Sequence, residues 1–501
     1  MKTSLKTLLV IITLLMFSCK KDDQKIDFTF LQINDVYEIA PIQGGQFGGL
    51  ARLETVHKEL LQENKNTMLF MAGDFLNPSL LGTLKVDGER IKGKQMIEVM
   101  NAMNFDLVAF GNHEFDLSQQ NLQKRLNEST FPWISANVKL KIENTSVPFF
   151  KERNLNKQNV NETFVKEFAD ADGTSIKIGF ISVCIPSNPK DYVEYSNMFV
   201  KARASYAKLK DSVDVVFGLT HVKIANDKRI SKLIPEIPLI MGGHEHTNMA
   251  VETENGIITK ADANAKTAYI HRISFDKITK KATIQSELKE INSTIKSDEK
   301  VGEIVEKWQN ILKKQIKEVI PNPDEIIYKT SIPLDGRDKP IRSMQTNIGQ
   351  LITRAMSFAY NDKVDCALVN GGSIRIDDQL VGNITPVDIF RVLPYGGAIV
   401  KVKIKGRLLK RVLDYGVLAK GTGAYLHRYN VEKVGEKWFV DKKVLESNKV
   451  YSVAFSDYLL KGFDIPFLSE ENNEVLEVYL PNSNELSFDI RKAVVDYLKI
   501  Q

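Results

Sequence analysis

The stretch Leu107-Val-Ala-Phe-Gly-Asn-His-Glu-Phe-Asp116 decides how the chain is read. An apolar run, Leu107 to Phe110, breaks at Gly111 and delivers Asn112, His113, Glu114 and Asp116 in quick succession. The apolar half predicts a buried strand bounded by a turn residue. Groups suited to metal binding and acid–base chemistry then stand at the strand's carboxyl end, where open α/β sheets hold their sites. Taken by itself Gly-Asn is also an ordinary turn, so the stretch has to be weighed against the rest of the chain.

The same arrangement recurs along the first half. Phe28–Ile33 runs into Asn34-Asp35-Val36-Tyr37, and Thr67–Ala72 ends at Gly73-Asp74. Val213–Leu219 delivers Thr220-His221, and Ile237–Met241 delivers Gly242-Gly-His-Glu-His246. Gly49–Glu63 and Lys94–Met103 carry apolar residues at helical spacing between these strands, which predicts an α/β fold. The strand ends therefore offer Asp35, Asp74, Asn112, His221 and the pair His244 and His246. The chain has only 7 histidines, and His113, His221, His244 and His246 all stand at these ends. His57, His271 and His427 fall outside the pattern and read as surface or locally bonded imidazoles.

Carboxylates, an amide oxygen and imidazoles together suit two borderline cations that share one carboxylate. Two such ions, about 3.5–4 Å apart, can hold a phosphoryl oxygen and generate hydroxide near neutral pH. Asp74, standing between Asp35 and Asn112 in the chain, is the natural bridge. With 3 cysteines in all, an all-thiolate zinc site is excluded. Cys184 and Cys366 lie in apolar strand-like runs and read as buried thiols.

At 501 residues the chain exceeds one ordinary core, so two domains are expected. A net charge of +5, from 68 basic and 63 acidic residues, is too small to argue for nucleic acid. No obligate protein partner is evident. Residues 1–19 combine a basic start, the apolar run Leu8–Phe17 and Ser18-Cys19, which reads as a secretory signal. It resembles a bacterial lipoprotein signal, which implies lipidation at Cys19, a solvated tether over 20–26 and a lipid anchor to the membrane. An exported lipoprotein at the periplasmic face or the outer-membrane surface is the expected location.

The first domain is expected over 27–295. From Ser297 to Ile320, Val301, Ile304, Val305, Trp308, Ile311, Leu312, Ile316 and Val319 fall at helical spacing. Pro321-Asn-Pro323 ends that helix, so a linker is expected over 296–325 and a second domain over 326–501. In the latter, Asn347–Phe358 reads as a helix and Val364–Val369 as a strand ending in Asn370-Gly-Gly-Ser-Ile-Arg375. Glycines beside Asn370 and Arg375 suit close backbone approach to an anionic ligand. Arg342, Leu393-Pro-Tyr-Gly-Gly397 and Gly423-Ala-Tyr-Leu426 add a guanidinium and aromatics with no obvious core role.

Asn34-Asp35, Gly73-Asp74, Gly111-Asn-His-Glu114, Thr220-His221 and Gly243-His-Glu-His246 occur in the order of the calcineurin-like metallophosphoesterase superfamily, which the first half resembles. Thr346-Asn-Ile-Gly349, Asn370–Arg375, Leu393–Gly397 and Tyr451–Tyr458 make the second half similar to the carboxyl-terminal domain of the 5′-nucleotidase family. The resemblance implies an α/β protein in which a four-layer α/β sandwich is joined by a helix to an α+β substrate-binding domain. It implies that Asp74 bridges two metals, that Asn112, His221 and His244 complete one site, and that Asp35 and His246 serve the other. His113 would contact the phosphoryl group and Asp116 would orient it. Arg342, Asn370 and Arg375 would hold the nucleotide, and Tyr395 would stack on its base. Rotation of the second domain toward the metals is also implied.

Two departures stand out. The family's first motif is Asp-x-His, whereas this chain has Asp35-Val-Tyr37. The first metal then has fewer protein ligands, or Tyr37 ligates as phenolate, or Tyr37 only packs and the site is impaired. Zinc, manganese or cobalt would suit the first case and ferric iron the second, since a phenol near pKa 10 resists ionisation. The family's Gly-Gly-Asp-Gly-aromatic loop is here Gly462-Phe-Asp-Ile-Pro-Phe467, which makes Phe467 the expected second stacking residue and Phe463 the alternative. A metal-dependent 5′-nucleotidase releasing phosphate from nucleoside monophosphates is the implied activity. The alternatives are 2′,3′-cyclic phosphodiesterase or nucleotide-sugar pyrophosphatase activity, or a nucleotide-binding surface lipoprotein with an impaired metal site. Thiosulfohydrolase chemistry is disfavoured by Tyr395.

Overall fold

Alternation in the first strand sets the architecture of the first half. In Lys25–Ile33, Ile26, Phe28 and Phe30 point to one face and Leu31 and Ile33 include the other, and all are buried. A strand apolar on both faces belongs inside a layered α/β fold. The computed structural model describes residues 24–153, 156–187 and 189–501; Cys19 and the first part of the expected tether lie outside them. The chain divides into two compact units. One holds the chain up to Val36, Arg52–Asp74 and Met100–Ile291; the other holds Tyr37–Ala51, Phe75–Val99 and Asn292–Gln501.

The first unit contains two six-stranded sheets. In one, Lys25–Ile33, Thr67–Met71, Leu107–Ala109 and Trp133–Ile134 run parallel, and Thr267–Asp276 and Lys281–Glu290 continue it antiparallel. In the other, Ser175–Ile181, Val215–Thr220, Leu239–Gly242 and Ile257–Lys260 are parallel, with antiparallel edge strands at Thr163–Ala169 and Met249–Glu252. The sheets meet through an aromatic core in which the Phe30 ring lies 4.9 Å from Phe70 and 5.1 Å from Phe217. Phe217 and Leu219 enter this inner core, while Val216 packs outward with helices Met198–Leu209 and Ile224–Leu233. With helix Leu50–Glu63 burying an apolar face of its own, this is the four-layer α/β sandwich. Its parallel strands all carry their carboxyl ends to the same edge, and the expected ligands sit there.

The second unit is α+β. A five-stranded sheet runs in the order Leu426–Tyr429, Cys366–Asn370, Val450–Ser456, Ile399–Lys405, Val475–Tyr479. Helix Gly406–Leu418 buries Leu408, Leu409, Val412 and Leu413 in its core. Helix Asn347–Phe358 packs with three of these strands and with helix Ile490–Leu498. Helix Glu299–Lys317, capped by the Asp298 carboxylate on Val301 N, buries Val301, Val305, Trp308, Leu312 and Ile316. Cys184 and Cys366 are buried free thiols. Among the described residues no helix is long and apolar enough to cross a membrane.

Candidate metal centre and substrate cavity

Four of the expected ligands occupy backbone that side chains seldom adopt: φ is +54° at Asp35, +59° at Asp74, +92° at His244 and +59° at His246. Left-handed backbone at a non-glycine residue costs on the order of 1–3 kcal/mol and gathers at functional sites. Here it turns each side chain off a strand end. Asn34 anchors the first of them: its Nδ2 donates to Asp35 Oδ2 (2.7 Å) and to Ala261 O (3.0 Å), and its Oδ1 accepts from Ala261 N (2.7 Å).

Close approach requires glycine beside these residues. A Cβ on Gly111 would stand 2.1 Å from Asp74 Oδ1, and one on Gly73 would stand 2.6 Å from Gly111 N. The fully buried Glu114 completes the packing, its Oε2 accepting from Asp74 N at 2.9 Å and Gly111 N at 2.6 Å. Sequence reasoning named Glu114 without assigning it this work. The signal was its place inside Gly111-Asn-His-Glu114, where a carboxylate can turn back on the amide that opens the loop.

The strand ends converge. Ligand-type atoms of Asp35, Asp74 and His221 lie within 4.8 Å of one another. His221 Nε2 is 3.0 Å from Asp74 Oδ2 and 3.9 Å from Asp35 Oδ1, and His246 Nε2 is 3.1 Å from Asp35 Oδ1. The His244 amide donates to Asp35 Oδ2 at 2.8 Å, and the His244 ring lies 5.5 Å from that of His221. His221 Nδ1 stands 2.7 Å from Ala72 O, so it donates there and turns Nε2 toward the carboxylates. Two carboxylates facing one imidazole nitrogen favour positive charge there, as a proton on the ring or as a bound cation.

The electrostatics say the same. Burial pushes His221 down, but Asp74 and then Asp35 outweigh it and lift the imidazole to about 9. Burial raises Asp35 and Asp74, yet His246 and His221 hold the first, and His221 and His113 the second, below the usual carboxylate range. Burial and the neighbouring His221 push His244 down to about 3. One buried atom, Asn112 Oδ1, has no hydrogen-bond partner among the described residues. An orphaned acceptor is costly unless something else satisfies it, and oxygen and imidazole nitrogen around paired carboxylates fit divalent cations.

Beside this cluster, the short turn His113–Asp116 makes a separate unit of chemistry. His113 N donates to Asp74 Oδ1 and its Nδ1 lies 2.7 Å from Asp116 Oδ2. The His113 side chain keeps 24% of its surface exposed, enough for a substrate oxygen to reach it. His57, His271 and His427, by contrast, are buried and bonded locally, to Glu54, to Ser286 and Gln32, and to Ile341 O. None of the three is at the surface. Tyr37 is buried too, and the boundary between the units runs between Val36 and Tyr37.

In the second unit Arg342, Asn370, Arg375 and Tyr395 line one cavity of about 570 Å³. Asn370 is held from both sides: its Nδ2 donates to Asp464 Oδ2 (2.7 Å) and its Oδ1 accepts from Ser373 Oγ (2.6 Å). Tyr395 is 62% exposed, unusual for an aromatic ring and fitting for a platform. Phe467 is not part of this lining. Its ring packs 5.6 Å from Tyr415 with the Arg411 guanidinium 4.5 Å away, partly buried against the unit's core. Phe463 is 70% exposed and lies 5.7 Å from Tyr458, a wall of the cavity. Tyr458 and Asp464 were not singled out from sequence, although the Phe-Asp of the altered loop marked the place.

Residues 28–248 match the family model for calcineurin-like phosphoesterases, and residues 326–470 match that for the 5′-nucleotidase C-terminal domain. The chain is 27% identical over 421 residues to the 5′-nucleotidase of Homo sapiens, an alignment covering 76% of this chain and 68% of that one. It is 26% identical over 478 residues to the 5′-nucleotidase of Rattus norvegicus, covering 83% and 78%. The crystal structure of a 5′-nucleotidase precursor from Thermus thermophilus shares the fold, with a TM-score of 0.66 at 21% identity over 95% of this chain and 96% of that one.

Proposed function

Since the chain belongs to the 5′-nucleotidase family, a calcineurin-like phosphoesterase domain followed by the 5′-nucleotidase C-terminal domain, we propose that it releases phosphate from nucleoside 5′-monophosphates. It is a phosphoric monoester hydrolase dependent on divalent metal. The observation that carries the reading is the convergence of Asp35, Asp74 and His221 at a place where the buried Asn112 Oδ1 lacks a partner among the described residues. Asp74, Asn112, His221 and His244 would hold one ion, and Asp35 and His246 would hold the other with Asp74 shared. When bound, such ions polarise a phosphoryl oxygen and lower the pKa of water.

The protein's own groups supply the rest. His113, with Nδ1 against Asp116, presents its other ring nitrogen to the oxygen on which charge develops; Asp116 favours the protonated ring that can donate there. In the second unit Arg342 and Arg375 offer planar donors to phosphate or ribose oxygens, Asn370 is held in one orientation by Asp464 and Ser373, and Tyr395 offers a face to the base. Phe463, not Phe467, is the second aromatic of this reading, because it is exposed beside Tyr458 while Phe467 is packed.

We infer that the ions are zinc, manganese or cobalt and that Tyr37 leaves the first of them with fewer protein ligands. The amino-terminal signal, with Cys19, supports an exported lipoprotein anchored by lipid. Phosphate release measured in parallel on AMP, 2′,3′-cyclic AMP and a nucleotide sugar tests the substrate class. Turnover of AMP well above the other two is expected; the reverse order overturns the monophosphatase reading.

A further inference from the structure

Strand Ile257–Lys260 ends on a lysine that is fully buried. Its Nζ lies 2.6 Å from Val222 O, 2.7 Å from Gly243 O and 2.8 Å from Asp227 Oδ2, and it pairs with Glu245 Oε2. A buried ammonium is expensive unless its protons all find acceptors, and this one is surrounded by them. The acceptors are not scattered. Val222 directly follows His221, and Gly243 directly precedes His244.

The two carboxylates extend the same clasp. Glu245, which sits between His244 and His246, accepts from Ile224 N through Oε1 at 2.6 Å. Asp227 accepts from Thr220 Oγ1, one residue before His221, at 2.7 Å. The lysine stem reaches this position only because residue 242 is glycine: a Cβ there would lie 2.8 Å from Lys260 Cε. One ammonium therefore ties the segment carrying His221 to the segment carrying His244 and His246.

We propose that Lys260, with Asp227 and Glu245, is a positioning residue of the metal centre. It sets the spacing between His221 and the His244–His246 pair, so that the imidazoles meet an ion without having to be gathered by it. It rests on the reading of these histidines as ligands. The lysine acts through the backbone of its neighbours, as partners behind metal ligands do when they orient them.

The test compares the full-length wild type with Lys260→Met and with the charge-balanced triple variant Lys260→Met/Asp227→Asn/Glu245→Gln. Replacing a buried charged triad by neutral groups of similar size is tolerated where leaving two carboxylates uncompensated is not. Each protein is stripped with chelator and titrated with Mn²⁺ against a competing chelator, with bound metal counted by mass spectrometry. Melting of the stripped proteins and AMP kinetics at saturating Mn²⁺ are recorded alongside. The expected result is Mn²⁺ affinity weakened about 10- to 100-fold in each variant that folds, with the KM for AMP at saturating Mn²⁺ unchanged. A folded variant that binds Mn²⁺ as tightly as the wild type overturns the proposal. So does failure of the triple variant to fold, which would make Lys260 a residue of the fold rather than of the metal centre. A wild type that takes up no Mn²⁺ overturns the functional reading beneath it; a wild type that does so beside a variant of equal affinity overturns this inference alone.

Discussion

His113 and Asp116 lie on one turn of 3₁₀ helix with Nδ1 and Oδ2 2.7 Å apart. A carboxylate so placed selects which ring nitrogen faces outward and favours the protonated ring. Asp116→Asn keeps the shape and removes the charge. We expect kcat for AMP to fall on the order of 10²-fold, the size of a general acid–base contribution, with metal content unchanged. Steady-state kinetics beside metal analysis checks this; an unaltered kcat would remove the Asp116 charge from the chemistry.

The aromatic residues of the second unit separate by position. Tyr395→Ala should raise the KM for AMP about tenfold, within the roughly 1–3 kcal/mol that stacking on one base contributes. Phe463→Ala should do likewise. Phe467→Ala should lower the melting temperature through lost packing against Tyr415 and Arg411 and leave the KM alone. A KM effect confined to Phe467→Ala would reverse the assignment.

Phenolate ligation by Tyr37 has a spectroscopic signature. The reading with fewer protein ligands expects protein loaded with ferric iron to show no visible charge-transfer band that Tyr37→Phe removes. Absorption spectra of both proteins decide it, and a band lost in Tyr37→Phe would place the phenolate on the metal.

Two histidines outside the site give the fold an acid limit. Burial pushes His271 down from 6.5 to about 3 and His427 from 6.5 to about 4. Unfolding returns both to the ordinary value, so the unfolded chain binds more protons below about pH 6.5. Their contribution to stability is complete above that pH. It is lost as the pH falls, through about 4 for His427 and about 3 for His271. Denaturant unfolding of the metal-stripped protein at a series of pH values should show stability dropping on the acid side, with a shallower drop in His271→Asn. An unchanged slope in that variant would mean that His271 is charged when folded.

Much of this was legible before any coordinates. The strand ends at Asp35, Asp74, Asn112, His221 and His244 announced themselves because apolar runs stopping at short polar motifs are local signals. Which ring of the altered loop faces the cavity was not legible, for a physical reason. The loop Gly462-Phe-Asp-Ile-Pro-Phe467 has no periodicity to say which ring turns inward, and only packing against Tyr415 decides it. Lys260 was invisible for a different reason. Its partners Val222, Asp227, Gly243 and Glu245 come from separate segments that only the second sheet of the first unit brings together, and a lone lysine at a strand end looks like a solvated one. Likewise, the inclusion of Tyr37–Ala51 and Phe75–Val99 in the second unit follows from long-range packing that no local pattern carries.

Every functional assignment above depends on the converging carboxylates and imidazoles forming a working metal centre. Metal analysis of the purified protein, paired with phosphate release from AMP before and after adding manganese or zinc, tests this most directly. The predicted result is up to two divalent ions per chain, loss of turnover on chelation and its return with added metal. Less than one ion per chain, with no phosphate released from AMP even after manganese or zinc is supplied, would contradict it.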